Sequence, residues 1–180
     1  MRKLLIISVL LLACENAENS IYRGSRCNFV FDTTLHPAPC QLTMIIGNPG
    51  GFAIVSTTLM RGICHILTTR NYDHAQEDIP LTTKRESQLS FMMGADNAIV
   101  IGCSAYTSEL MCYEGQCRNC LDEGGANHPL TFSDNGQQLC CGHCHRTYDV
   151  NNGVVASGSP GGQLYTYNVA YTNGILRAWN

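Results

Sequence analysis

Two Cys-x-x-Cys pairs constrain this chain more than any other feature: Cys117 with Cys120 in "GQCRNCLDEGG", and Cys141 with Cys144 in "CCGHCH". Twenty residues separate them, and the turn "SDNG" (133–136) lies in between. A Cys-x-x-Cys turn points both sulfurs inward from one knuckle, and a hairpin between two knuckles carries four sulfurs to a common centre. The outline is a tetrahedral thiolate site, which suits zinc or iron. His143 and His145 stand inside and beside the second knuckle, as substitute ligands or as donors to the ligand sulfurs. Disulfide bonding of the same cysteines is the competing reading.

The rest of the chain reads as short strands. Alternating or β-branched runs recur from Cys27 onward: "CNFVFD", "QLTMII", "GFAIVS", "GICHIL", "QLSFMM", "NAIVIG", "ELMCY", "QLYTYNVAY" and "ILRAW". No segment holds a 3.6-residue apolar stripe over three turns. Turn formers separate the runs, among them "GNPGG" (47–51), "NNG" (151–153) and "SPGG" (159–162). This pattern predicts an all-β sandwich or small barrel. Asn173-Gly174 between the last two runs predicts a type I′ hairpin, and "HPLTFSDNGQQLCC" predicts another, turning at 134–136. The polar segment 68–96 reads as a long surface loop or an inserted hairpin. Its Asp73, His74, Glu77 and Asp78 read as a solvated face.

The first residues, "MRKLLIISVLLLAC", place Arg2 and Lys3 before an apolar run too short to span a bilayer. They read as an export signal. "LLAC" is similar to the lipobox of bacterial lipoproteins, which makes Cys14 a lipid anchor and "ENAENS" (15–20) a tether. The alternative is ordinary cleavage near Ala17 with Cys14 lost. The domain reading is therefore 1–20 signal and tether, and 21–180 one β domain with a metal-binding subdomain at about 113–150. The expected location is extracytoplasmic, in the cell envelope and lipid-anchored to a membrane. Loss of Arg2 and Lys3 takes the formal charge from -3 to -5, which gives no electrostatic reason to bind nucleic acid.

Lipidation of Cys14 leaves ten of the 11 cysteines, enough for five bridges in an oxidising compartment. Cys27, Cys40, Cys64, Cys103 and Cys112 lie on or beside strand-like runs and read as buried thiols or structural disulfides. Cys140 cannot bond its neighbour Cys141 without strain, so it packs in a core or pairs elsewhere. His36, His65, His74 and His128 are isolated from any ligand spacing and read as surface or satisfied core histidines. Thiol-disulfide exchange is disfavoured because no helix pattern follows Cys120 or Cys144. No Gly-x-Ser-x-Gly elbow and no phosphate-cradling glycine loop points to a hydrolase.

"CGHCHRTYDVNNGVVASGSPGGQLYTYNV" resembles the second half of a Rieske domain, with Tyr148, Asp149 and Gly153 following the ligand pair. "SGSPGGQL" is similar to that family's proline loop, and "AIVIGCSAYTSELMCYEGQC" resembles the strands leading into its first ligand loop. The likeness covers about 98–179 and points to a cluster-variant branch of exported bacterial lipoproteins. In that alignment Cys117, Cys141 and Cys144 fall on ligand positions, Asn119 stands where the first histidine would be, and Cys120 is adjacent. Asp122 and His143 fall on the positions of the family's bridging disulfide. The resemblance implies an all-β, Rieske-like antiparallel β-sandwich with a small rubredoxin- or zinc-ribbon-like metal-binding subdomain. It also implies a four-cysteine [2Fe-2S] centre, with zinc or no metal as alternatives. Rieske proteins that cross a membrane folded commonly carry a twin-arginine signal, whereas only Arg2-Lys3 precedes the apolar run here. The implied function is electron transfer to a redox or envelope partner. Its alternative is a redox-silent structural or binding module. Neither is a catalyst.

Overall fold

The computed structural model describes residues 21–125 and 127–180. The signal segment, the tether and Cys14 lie outside them. In chain order the elements are β1 (Cys27–Asp32), α1 (Gln41–Ile45), β2 (Phe52–Met60), β3 (Ile63–Arg70), β4 (Gln76–Pro80) and β5 (Met92–Met93). They continue with β6 (Ala98–Cys103), β7 (Leu110–Glu114), α2 (Arg118–Gly124), β8 (Leu130–Ser133) and β9 (Gln138–Cys141). The last are β10 (Thr147–Asp149), β11 (Val155–Ser157), β12 (Asn168–Thr172) and β13 (Ile175–Trp179). The fold is all-β, in three antiparallel sheets ordered β4-β3-β2-β6-β7, β12-β13-β1-β5 and β11-β10-β9-β8. Among the described residues no helix is long and apolar enough to cross a membrane.

The five-stranded sheet has a core on each face. Ala53, Val55, Ile99, Ile101 and Cys112 pack with Phe29, Phe31, Leu176 and Ala178 of the β1 sheet. The alternate residues Phe52, Val100 and Tyr113 pack with Leu130, Leu139 and Tyr148 of the small sheet. Successive strand residues face opposite ways, so this sheet is the middle layer of three. The unbroken apolar run of β6, fully buried at Ile99, Val100 and Ile101, follows from cover on both faces.

Both expected hairpins form. Asn173 and Gly174 have φ of 51° and 79°, as a type I′ turn requires, and β12 pairs with β13 in register. A Cβ on Gly174 would also lie 2.6 Å from Thr34 Cγ2. Gly174→Ala is therefore expected to cost more than about 1 kcal/mol, seen as a lower urea midpoint at unchanged slope. Segment 68–96 realises the hairpin alternative: β3 runs into it, and β4 returns along β3. Asp73 there takes both guanidinium arms of Arg70 at the surface, and exposed Asp78 meets His65 at 2.6 Å.

Three strand expectations are corrected. "QLTMII" forms α1, one turn that begins after Pro37 and Pro39 and buries Leu42 and Ile45 on one side. Proline cannot donate to a ladder, and the i, i+3 spacing of those two apolar residues suits a helical turn. In "QLSFMM" only Met92 and Met93 pair, with β1. In "QLYTYNVAY" the strand starts at Asn168, because Leu164 and Tyr167 give their N–H groups to Gly153 and Cys112 of other elements. The five-bridge expectation is also corrected: all ten described cysteines are free thiols. Cys140 follows alternation, half-buried on the face of β9 opposite to that of Cys141.

Candidate metal centre

The first cysteine loop starts where β7 leaves the middle sheet. Gly115 N–H still bonds Ala98 O, and Cys117 N–H bonds His128 O at 2.9 Å. Cys117 then stands at the N-cap of α2, and Cys120 follows one turn later on the same side of the helix. Gly125, at φ 66°, ends α2 in the left-handed conformation that glycine adopts without penalty. The second loop joins β9 to β10. Cys141 N–H bonds Arg146 O and His145 N–H bonds Cys141 O, each at 3.0 Å, which closes a tight turn around Cys144.

These two loops bring the four sulfurs together. Cys117 Sγ lies 3.6 Å from Cys144 Sγ, Cys120 Sγ lies 3.7 Å from Cys141 Sγ, and all four lie within 4.8 Å of one another. Such a group can hold a metal ion. Tetrahedral thiolates at a zinc–sulfur distance of about 2.3 Å are separated by about 3.8 Å, close to the two measured pairs. A two-iron cluster places two thiolates on each iron and so holds the pairs farther apart. The donor set thus fits a single tetrahedral ion. Cys117 and Cys141 are fully buried, Cys120 nearly so, and Cys144 half-buried.

Burial pushes the Cys117 and Cys120 thiols up, and neighbouring thiols push Cys120 further. For Cys144 burial acts in the same direction, but hydrogen bonds from the Arg146 backbone and side chain and from Cys120 and Cys117 outweigh it, leaving its pKa at about 7. Thiols held up by burial release their protons when a cation takes the sulfurs.

The loop 158–163 is fastened across this site. Asn119 Nδ2 donates to Tyr148 OH at 2.8 Å and to Gly162 O at 3.1 Å, and Gly162 N–H donates back to Asn119 Oδ1 at 3.0 Å. Tyr148 OH also hydrogen-bonds Cys117 Sγ at 3.1 Å. Arg146 holds Ser159 O, and Arg118 holds Gln163 O, both at 3.0 Å. At Gly161 a Cβ would run into the Asn119 carboxamide. Asn119→Ala strips partners from three groups, two of them backbone. It is expected to cost about 1–3 kcal/mol and to speed amide exchange at Gly162.

Two further expectations change here. A short helix does follow Cys117, so the stated ground against thiol-disulfide exchange fails. The stronger ground is burial, which raises both thiols of that pair where an exchange site needs a lowered one. His128 is not isolated: its ring stacks on that of His143 at 3.9 Å, with an interplanar angle of 11°. Cys120, His128 and His143 form a second close group of ligand atoms. No fixed spacing announces it, because the Cys117–His128 backbone bond sets it. His145 belongs to neither group; it is exposed, at φ 57°, and closes the turn with its N–H.

The sequence matches no protein-family model, and no curated protein matches it.

Proposed function

We propose that this chain is a Rieske-like module of the bacterial cell envelope in which Cys117, Cys120, Cys141 and Cys144 hold one zinc ion. The centre is structural, and the module binds or supports an envelope partner without turning over a substrate. The observation that carries this reading is the mutual closeness of four largely buried sulfurs, which suits one closed tetrahedral ion. The Rieske likeness is supported by arrangement. Both cysteine loops flank the small sheet, the "SPGG" loop lies across them, and the closing pair β12–β13 returns beside β1. The anchor at Cys14 belongs to the same proposal.

Electron transfer through iron is the second reading, and one observation favours it. The Tyr148 hydroxyl bonds the Cys117 sulfur, and hydrogen bonds to ligand sulfurs set the potential of iron–thiolate centres. A [2Fe-2S] form would draw the two sulfur pairs apart.

Full-length protein purified from anaerobically grown cells separates the two. Bound zinc, no iron and no visible absorption are expected. Stoichiometric iron, with visible bands and an electron paramagnetic resonance signal on reduction, would replace the structural reading with electron transfer. A metal-free protein with bridged cysteines would end both.

A further inference from the structure

We propose that Cys120, His128 and His143 form a second metal site, open to solvent, which takes a zinc ion beside the buried one. It rests on the buried four-thiolate centre proposed above and adds a function that such a closed centre lacks.

The geometry is specific. His143 Nδ1 approaches Cys120 Sγ at 3.6 Å, and one ligand atom from each of the three residues lies within 4.8 Å of the others. Tetrahedral edges at zinc are about 3.3–3.8 Å for nitrogen and sulfur donors, and an imidazole binds a metal in the plane of its ring, so the exposed His143 ring must turn out of its stack on His128 for both to reach one ion. His128 is held in place by backbone. Its carbonyl accepts the Cys117 N–H, Pro129 bridges to Gln116, and Leu130 N–H bonds Gly115 O. His143 is carried on the tight Cys141–Arg146 turn. The two rings stack, and the His143 ring nitrogen hydrogen-bonds the Cys120 sulfur.

Charge supplies the reason for a second ion. Four thiolates around one divalent cation leave two net negative charges in a pocket whose walls include Leu130, Leu139 and Val150. The Arg146 side chain bonds Cys144 and offsets one of them, and the charge left over is costly to bury. A second divalent cation, sharing the Cys120 sulfur, neutralises it from the solvent side. One thiolate and two imidazoles are ligands that zinc favours, and three protein ligands leave the fourth position free. That position opens on a surface depression of about 470 Å³, lined by His128, Pro129, Thr131, Gly142 and His143. Water or a small anionic or thiol ligand can reach it there.

The test is equilibrium dialysis of the full-length, reduced protein against micromolar zinc, followed by metal analysis. Wild type, His128→Ala and His143→Ala are compared, with the thermal melt recorded for each. Two equivalents in wild type and one in each variant, at an unchanged melt of the main body, are expected. Cobalt in place of zinc should then show nitrogen-coordinated bands in wild type and sulfur-only bands in the variants. One equivalent in all three proteins would overturn the open site and leave the buried centre standing. A single equivalent lost in both variants would keep the histidine site and overturn the buried one. No bound zinc in any of them would overturn both.

Discussion

Chelating the zinc proposed for the four-cysteine centre from the reduced protein is expected to melt residues 117–150 at a temperature well below that of the main body, and Cys141→Ser is expected to do the same without chelator. The small sheet is only four short strands, and its core counts Cys117, Cys120 and Cys141 among its buried residues. Without a cation those sulfurs contribute apolar area but no cross-link between α2 and the β9–β10 turn. Structural zinc binds with about 10–16 kcal/mol in small metal-dependent domains, comparable to the whole stability of an ordinary one. No neighbouring contact here replaces a quantity of that size. Hydrogen exchange gives the clearest measurement: protection at Cys117, Leu121 and His145 should collapse on chelation, while that of the β1–β13 and β2–β6 ladders persists. An unchanged melt and unchanged exchange in both the chelated protein and Cys141→Ser would show that the thiols merely pack, and the metal reading would fall.

What was readable in advance divides by the range of the interaction. Cys117, Cys120, Cys141 and Cys144 are legible because each knuckle is local and the hairpin between them is announced by its turn residues. The Asn173-Gly174 hairpin is legible for the same reason: two positive φ values are written in two adjacent residues. The elements that escape are those decided elsewhere in the molecule. Within α2, "RNCLDEG" contains Asn, Asp and Gly, weak helix formers, and no apolar stripe. It is helical because Cys117 and Cys120 must face one point and because Asn119 is tied to Tyr148 and Gly162. The turn of α1 is likewise set by where Leu42 and Ile45 are buried, against the main core. His128 enters the site through a backbone bond to a residue eleven positions away, which leaves no mark on local spacing. The paired faces of β6 were visible as an apolar run, but which sheet covers which face is a property of the assembled layers.

Phe29→Ala is expected to cost about 3–5 kcal/mol, and to cost the same with and without the metal. Phe29 is fully buried on β1 opposite Ala178 of β13, with the Phe91 ring 6.0 Å away. Removing the ring leaves a cavity between two sheets whose hydrogen-bond ladders cannot close over it, so the transfer loss and the cavity both count. For a domain of this size the loss corresponds to a fall in melting temperature of roughly 6–20 °C. None of the sulfur ligands lies in this core; they belong to the one on the other face of the middle sheet. Mutations without shared partners add, so the urea midpoint of Phe29→Ala should fall by an equal amount in zinc-loaded and chelated protein. A larger loss in the chelated protein would mean that the two cores unfold as one unit. The metal would then stabilise the whole sandwich through the strands that both cores share, β2, β6 and β7, rather than the small sheet alone.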